Sequence, residues 1–161
     1  MTTARQLELV HLTTCFDVDF ELYVSRLEKL LGRFDSTVMS DLKDPLDAVR
    51  RIEDMRGAHD LMLFGMQNHG ALFAIDGVHR NAIRFHIGNP LIAHEMARED
   101  IRAGMYAPLT VLVYQYEKGV RIDYDKPSSQ FAQFENQKID EVAQALDLKL
   151  RELLEDAART P

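Results

Sequence analysis

Residues 82–125 constrain the fold most, because they write three strands and a helix start into a length too short for parallel crossovers between the paired strands. Apolar and polar residues alternate over 82–87, so that Ile83, Phe85 and Ile87 point one way and Ala82, Arg84 and His86 the other. The first set belongs in a core. Gly88-Asn89-Pro90 ends that strand and starts a helix, with Asn89 as cap and Pro90 at the first helical position, where its missing N–H costs nothing. Residues 109–117 and 120–125 then read as two strands across a Glu117-Lys118-Gly119 turn, dense in Val, Ile, Leu and Tyr.

The same block carries the Asn89-Pro90 turn, a Pro108-Leu109 lead into a strand and a Tyr124-Asp125-Lys126-Pro127 exit. On these residues the segment 61–129 resembles the bacterial family catalogued as domain of unknown function 302. The resemblance implies an α+β fold with an antiparallel sheet and a tendency to pair as homodimers. It names no activity.

The flanking sequence is read from pattern alone. Residues 7–16, rich in Leu, Val, Thr and Phe without a helical period, fit a first strand. Asp17 and Asp19 offer caps to a helix whose Phe20, Val24, Leu27 and Leu31 keep one face and which Gly32 can end. Residues 34–44 are polar and read as loop, and Asp44-Pro45 starts a short helix to about Met55 that covers an edge, closed by Gly57. Residues 61–75 are apolar except for Gln67-Asn68-His69-Gly70, which predicts two short strands about a turn. The helix opened by Asn89 is expected to run over 91–103 and stop at Gly104. After Pro127, Ser128 and Ser129 are expected to cap a long last helix through Ile139, Val142, Leu146, Leu150 and Leu153. That stripe packs on its own sheet or, as the second choice, meets another copy of itself. The sum is one α+β domain over 1–161, with an antiparallel β-sheet, helices packed mainly on one face and a long C-terminal helix.

Charge and composition exclude several classes. Of 161 residues, twenty-six are acidic and nineteen are Lys or Arg, for a formal net charge of −7 with no basic stripe, which argues against a nucleic-acid partner. No apolar run approaches the ~18 residues of a spanning helix, so no membrane partner is expected. The opening Met-Thr-Thr-Ala-Arg-Gln lacks the apolar centre of a secretory signal, and the expected location is cytoplasmic. The lone Cys15 forms no internal disulfide and is expected to be a small buried side chain.

Six histidines invite a metal, but no His-x3-His helix pair or Cys-x2-Cys supports one. His59, His69 and His79 fall at turns, where solvated imidazoles are the ordinary outcome. Arg84 and His86 share a strand face beside the helix that Asn89 opens, so the two side chains and the backbone at Leu91 and Ile92 form a candidate anion site if that face is bare. His94 lies one turn into the same helix. Met96 points about 200° away from it at ~100° per residue, so the two cannot share one iron. The more apolar stripe, Ile92 and Met96, is expected inward and His94 outward. Tyr124 belongs to the exit motif and reads as a buried ring with its hydroxyl at the surface, flanked by Asp123 and Asp125 on the other face. The candidate ligand-binding set is Arg84, His86, Asn89, His94 and Tyr124.

Three readings stay open. The first is a small-ligand-binding protein holding an anionic or amphipathic molecule near His86 and the Asn89-Pro90 turn, as a homodimer. The second is an enzyme using His86 or His94 as general acid or base, with Arg84 orienting the substrate. The third is a haem or metal carrier through the same histidines. No cofactor is named by the sequence.

Overall fold

The computed structural model describes residues 1–40 and 44–159. Among these residues six strands join one sheet: β1 (His11–Phe16), β2 (Gly32–Arg33), β3 (Met62–Asn68), β4 (Ala82–Gly88), β5 (Leu109–Tyr116) and β6 (Gly119–Asp125). Their order is β1-β6-β5-β4-β3-β2, antiparallel throughout except for the two-residue β2, which runs parallel to β3. The helices are α1 (Phe20–Leu30), α2 (Pro45–Asp54), α3 (Pro90–Ala97), α4 (Pro127–Phe131) and α5 (Gln137–Ala158). The architecture is α+β, as the sequence predicts.

Capping side chains set most helix starts. Asp19 accepts the Leu22 N–H, Asp44 those of Leu46 and Asp47, Asn89 that of Leu91, and Asn136 those of Lys138 and Ile139. The α5 stripe of Ile139, Ala143, Leu146, Leu150, Leu153 and Leu154 is buried with Tyr23, Val24 and Leu27 of α1 and the inner sheet residues Phe85, Ile87, Val111, Val113, Val120 and Ile122. Each leucine of that stripe contributes about 1.5–3 kcal/mol by leaving water. The buried Tyr23 hydroxyl donates to the Leu154 carbonyl at 3.0 Å, which satisfies the one polar atom that α1 brings to the seam. A smaller cluster of Val38, Ile52 and Met62, with Phe34 stacked on Phe64, lets α2 cover the β2–β3 edge.

Several expectations need correction. Residues 70–76 form a 3-10 turn, not a strand: β4 already has β3 and β5 beside it, and Asn68 accepts the Ala71 N–H and curls the chain. The helix expected over 91–103 stops at Ala97, because the Asp100 side chain accepts the Arg102 N–H and opens a separate 3-10 turn, Ile101–Tyr106. Ser128 and Ser129 do not cap the long helix. Glu135 adopts a left-handed φ of 50° that separates α4 from α5, and Asn136 takes the capping role. The strand expected over 7–16 is regular only from His11. Of the polar segment 34–44, Ser36–Ser40 is a 3-10 turn and residues 41–43 lie outside the described residues. Cys15 is exposed, because strand alternation in β1 turns Leu12, Thr14 and Phe16 inward and His11, Thr13 and Cys15 outward.

Gly32 follows α1, but close approach is its reason, not a left-handed turn. A Cβ there would sit 1.8 Å from the Met55 carbonyl oxygen, and one on Gly57 would sit 2.1 Å from the Gly32 nitrogen. The two glycines let the chain leaving α1 pass against the chain leaving α2. Gly32→Ala is therefore expected to cost roughly 3 kcal/mol, the upper end for forcing atoms into a filled space. Urea unfolding of the variant checks this; a loss under about 0.5 kcal/mol, the range of ordinary surface changes, would show that the crossing relaxes.

Candidate functional site

With α1 and α5 on the inner face, the outward residues of β1, β6, β5 and β4 make an open face. The register aligns them in rows. Gln67, Arg84, Leu112, Asp123 and Thr13 form one row across β3, β4, β5, β6 and β1; Ala82, Tyr114, Arg121 and Cys15 form the next. On the other side of the first row, His86 pairs with Thr110 and Asp125 with His11. Asp123 and Asp125 thus stand on β6 and Arg84 and His86 on β4, with Leu112 and Thr110 of β5 between them, while Tyr114 and Arg121 share the row beyond.

Asp123 is the most heavily bonded group on this face. His11 Nε2 lies 3.0 Å from it and Nδ1 lies 2.9 Å from Asp125, while the Thr13 hydroxyl donates to Asp123. Burial alone would raise the Asp123 carboxyl, but hydrogen bonds from Thr13, Tyr114 and His11 outweigh it and hold it below the ordinary aspartate value. The hydrogen bonds to Asp125 and Asp123 raise the His11 imidazole above 6.5, against a small opposing effect of burial. His86 moves the other way: burial, and then the charge of Arg84, lower it. Arg84 donates to Gln67, while its Nε and that of Arg121 are buried without an acceptor. The Arg121 guanidinium lies 3.6 Å from the centre of the Tyr116 ring.

Two hollows adjoin this array. A groove of about 730 Å³ runs under the 3-10 lobe, with Phe73 and Arg80 from the lobe side and Ala82, Leu112, Tyr114 and Asp123 from the sheet. A smaller one, about 360 Å³, lies beside Met105, Pro108 and Thr110 and shares His11, Leu112 and Asp123 with the first.

The five residues singled out by sequence do not meet in one pocket. Arg84 and His86 stand together on the open face. Asn89 is buried at the sheet's end with both amide atoms committed: Oδ1 accepts the Leu91 N–H at 2.8 Å, and Nδ2 donates to the Asp60 carbonyl at 2.8 Å. The Leu91 N–H proposed for an anion is therefore already bonded. A separate cleft of about 450 Å³ borders Asn89, and its cations Lys149 and Arg56 both engage Asp60, at 2.5 and 3.5 Å. His94 is exposed on α3 while Met96 is buried, so the helix turns that imidazole outward. Tyr124 points to the inner face with Val120 and Ile122, where burial raises its hydroxyl above the ordinary tyrosine value.

Sequence reasoning passed over His11, Tyr114, Arg80 and Phe73. Alternation in β1 carried the signal for His11, but only the pairing of β1 with β6 brings it to Asp123. His59 is not a solvated turn residue: it lies 2.8 Å from Asp156 and 3.2 Å from Glu152 on α5. Among the described residues no three His, Cys, Asp or Glu side chains are grouped to hold a metal ion, and no helix is long and apolar enough to cross a membrane.

The family assignment rests on more than this geometry. The model of a family described as Domain of unknown function DUF302 matches residues 36–157, well over half of the chain. The chain belongs to that family. The match reaches beyond the segment 61–129 into α2 and nearly all of α5. Among solved structures, the crystal structure of an uncharacterized conserved DUF302 protein from Bacillus stearothermophilus is similar, with a TM-score of 0.64 and 16% identity over 92% of this chain and 98% of that one. At that identity the likeness concerns the fold. No curated protein matches.

The two open-face histidines give opposite pH signs. His11 binds its proton more tightly when folded, so its contribution is full below pH 6.5 and is lost as pH rises through the raised value. His86 binds its proton less tightly when folded, so it costs stability as pH falls below 6.5. Relative to wild type, His11→Asn is expected to be weaker at about pH 5.5 than at about pH 8.5, and His86→Asn the reverse. Urea unfolding at both pH values reads this; differences from wild type that are the same at both pH values would show that neither imidazole titrates as described.

Proposed function

We propose that this DUF302 protein binds a small anionic or amphipathic molecule on the open face of its sheet. The site is the groove under the 3-10 lobe rather than the Asn89-Pro90 turn. The observation that carries the reading is the groove itself. Its volume of about 730 Å³ falls in the size range of small-molecule sites, and an apolar floor of Ala82, Leu112 and Tyr114 on the sheet, faced by Phe73 from the lobe, is bordered by a few polar groups. An acid–base role for His86 has less support: its partners across the sheet are Gly65 and Thr110, which supply no second titrating group.

The test is a native mass spectrum of the protein as purified, beside Ala82→Trp, whose indole would fill the groove. A retained mass on the wild type that the variant lacks, with equal far-ultraviolet circular dichroism, is the expected result. Equal retention by both proteins would remove the groove from the reading.

A homodimer is the second reading, favoured by the columns of charge. A second copy turned over about an axis along β5 would set each Asp123 against the other copy's Arg84 and each Asp125 against the other His86, with Leu112 and Thr110 between. Such a pair would close the groove from above. Light scattering after size exclusion is expected to give the dimer mass for wild type, the chain mass for Arg84→Glu, and the dimer again for Arg84→Glu combined with Asp123→Lys. A wild type at the mass of one chain would overturn the pairing.

A further inference from the structure

Resting on the binding reading above, we propose that the groove takes a monocarboxylate carried on an apolar body, with Arg80 holding the carboxylate and Phe73, Leu112 and Tyr114 receiving the body. The chain as a whole is acidic, with a net charge of −7, so most of its surface repels an anion. The groove is an exception because of how its charges are engaged. Its carboxylate, Asp123, already accepts from Thr13 and faces His11 at 3.0 Å. That imidazole in turn lies 2.9 Å from Asp125, which borders the smaller hollow rather than the groove.

Arg80 is different. It is exposed, it lies 5.8 Å over the Phe73 ring, and among the described residues no carboxylate comes within ion-pair distance of it. A guanidinium over an aromatic face keeps its in-plane N–H groups free, and these match the two oxygens of a carboxylate as a fork. One free guanidinium in the groove suits a single negative charge better than a dianion. Leu112 and Tyr114 lie on the sheet side of the same groove and Phe73 on the lobe side beside Arg80, so head group and body fit one molecule.

Calorimetric titration with four probes tests this: 1-naphthoate, decanoate, 1-naphthylmethylamine and 2-naphthol, on wild type, Arg80→Gln and the control Arg98→Gln at the end of α3. The two carboxylates separate an aryl from an alkyl body, and either binding supports the proposal. The carboxylates are expected to bind wild type and Arg98→Gln at least roughly tenfold more tightly than the amine, a difference set by one charge-assisted pair. They are expected to lose that margin on Arg80→Gln, while 2-naphthol is unchanged. Equal binding of acid, amine and naphthol by wild type, or full carboxylate binding by Arg80→Gln, would overturn the proposal and leave the groove as a binding site. Failure of all four probes on wild type would overturn the binding reading as well.

Discussion

The seam between α5 and the sheet is the constraint on which the rest depends. Its leucines, with Tyr23 and Leu27 of α1, use up the inner face and fix which residue of each strand is buried. A strand has only two faces, so committing Ile83, Phe85 and Ile87 inward also commits Arg84 and His86 outward. The chemistry of the open face follows from the packing of the other. It also answers the alternative uses of the long helix, since its apolar stripe is spent within the chain.

The open face is polar, but its charges are engaged unequally. On β6 and β1 the acids are bonded by His11 and Thr13, and much of the charge is answered locally. On β4 and the adjoining lobe, Arg84 has an amide for a partner and Arg80 has an aromatic ring. That asymmetry gives the face a direction. Without it the same strands would present only a solvated surface.

The strongest local signals in the sequence were those whose physics is local. Asp19, Asp44 and Asn89 cap their helices as their types and positions predict, the 109–125 hairpin forms, and alternation in 82–87 sorts core from surface. What was illegible needed partners distant in sequence. Cys15 and His11 could not be placed without knowing that β1 lies beside β6. Residues 70–76 looked like a strand because apolar content does not reveal that β4 has no vacant neighbour. His59 is pinned by two acids on α5, far along the chain. The candidate site divided along the same line: the Arg84 and His86 pair came from alternation, whereas the groove depends on a lobe that no periodicity announces.

The lobe is fastened at its root. The Gly70 backbone lies so close to the chain leading into β4 that a Cβ would fall 2.1 Å from the Arg80 carbonyl oxygen, and Gly77 makes the return turn with a left-handed φ of 68°. The segment between is a loop sewn shut at its base. Insertions or deletions among residues 72–76 would alter its reach without shifting the pairing of β3 with β4. A family built on this scaffold could thus lengthen or shorten the canopy over a constant floor, and diverge in what it accommodates while its sheet stays the same.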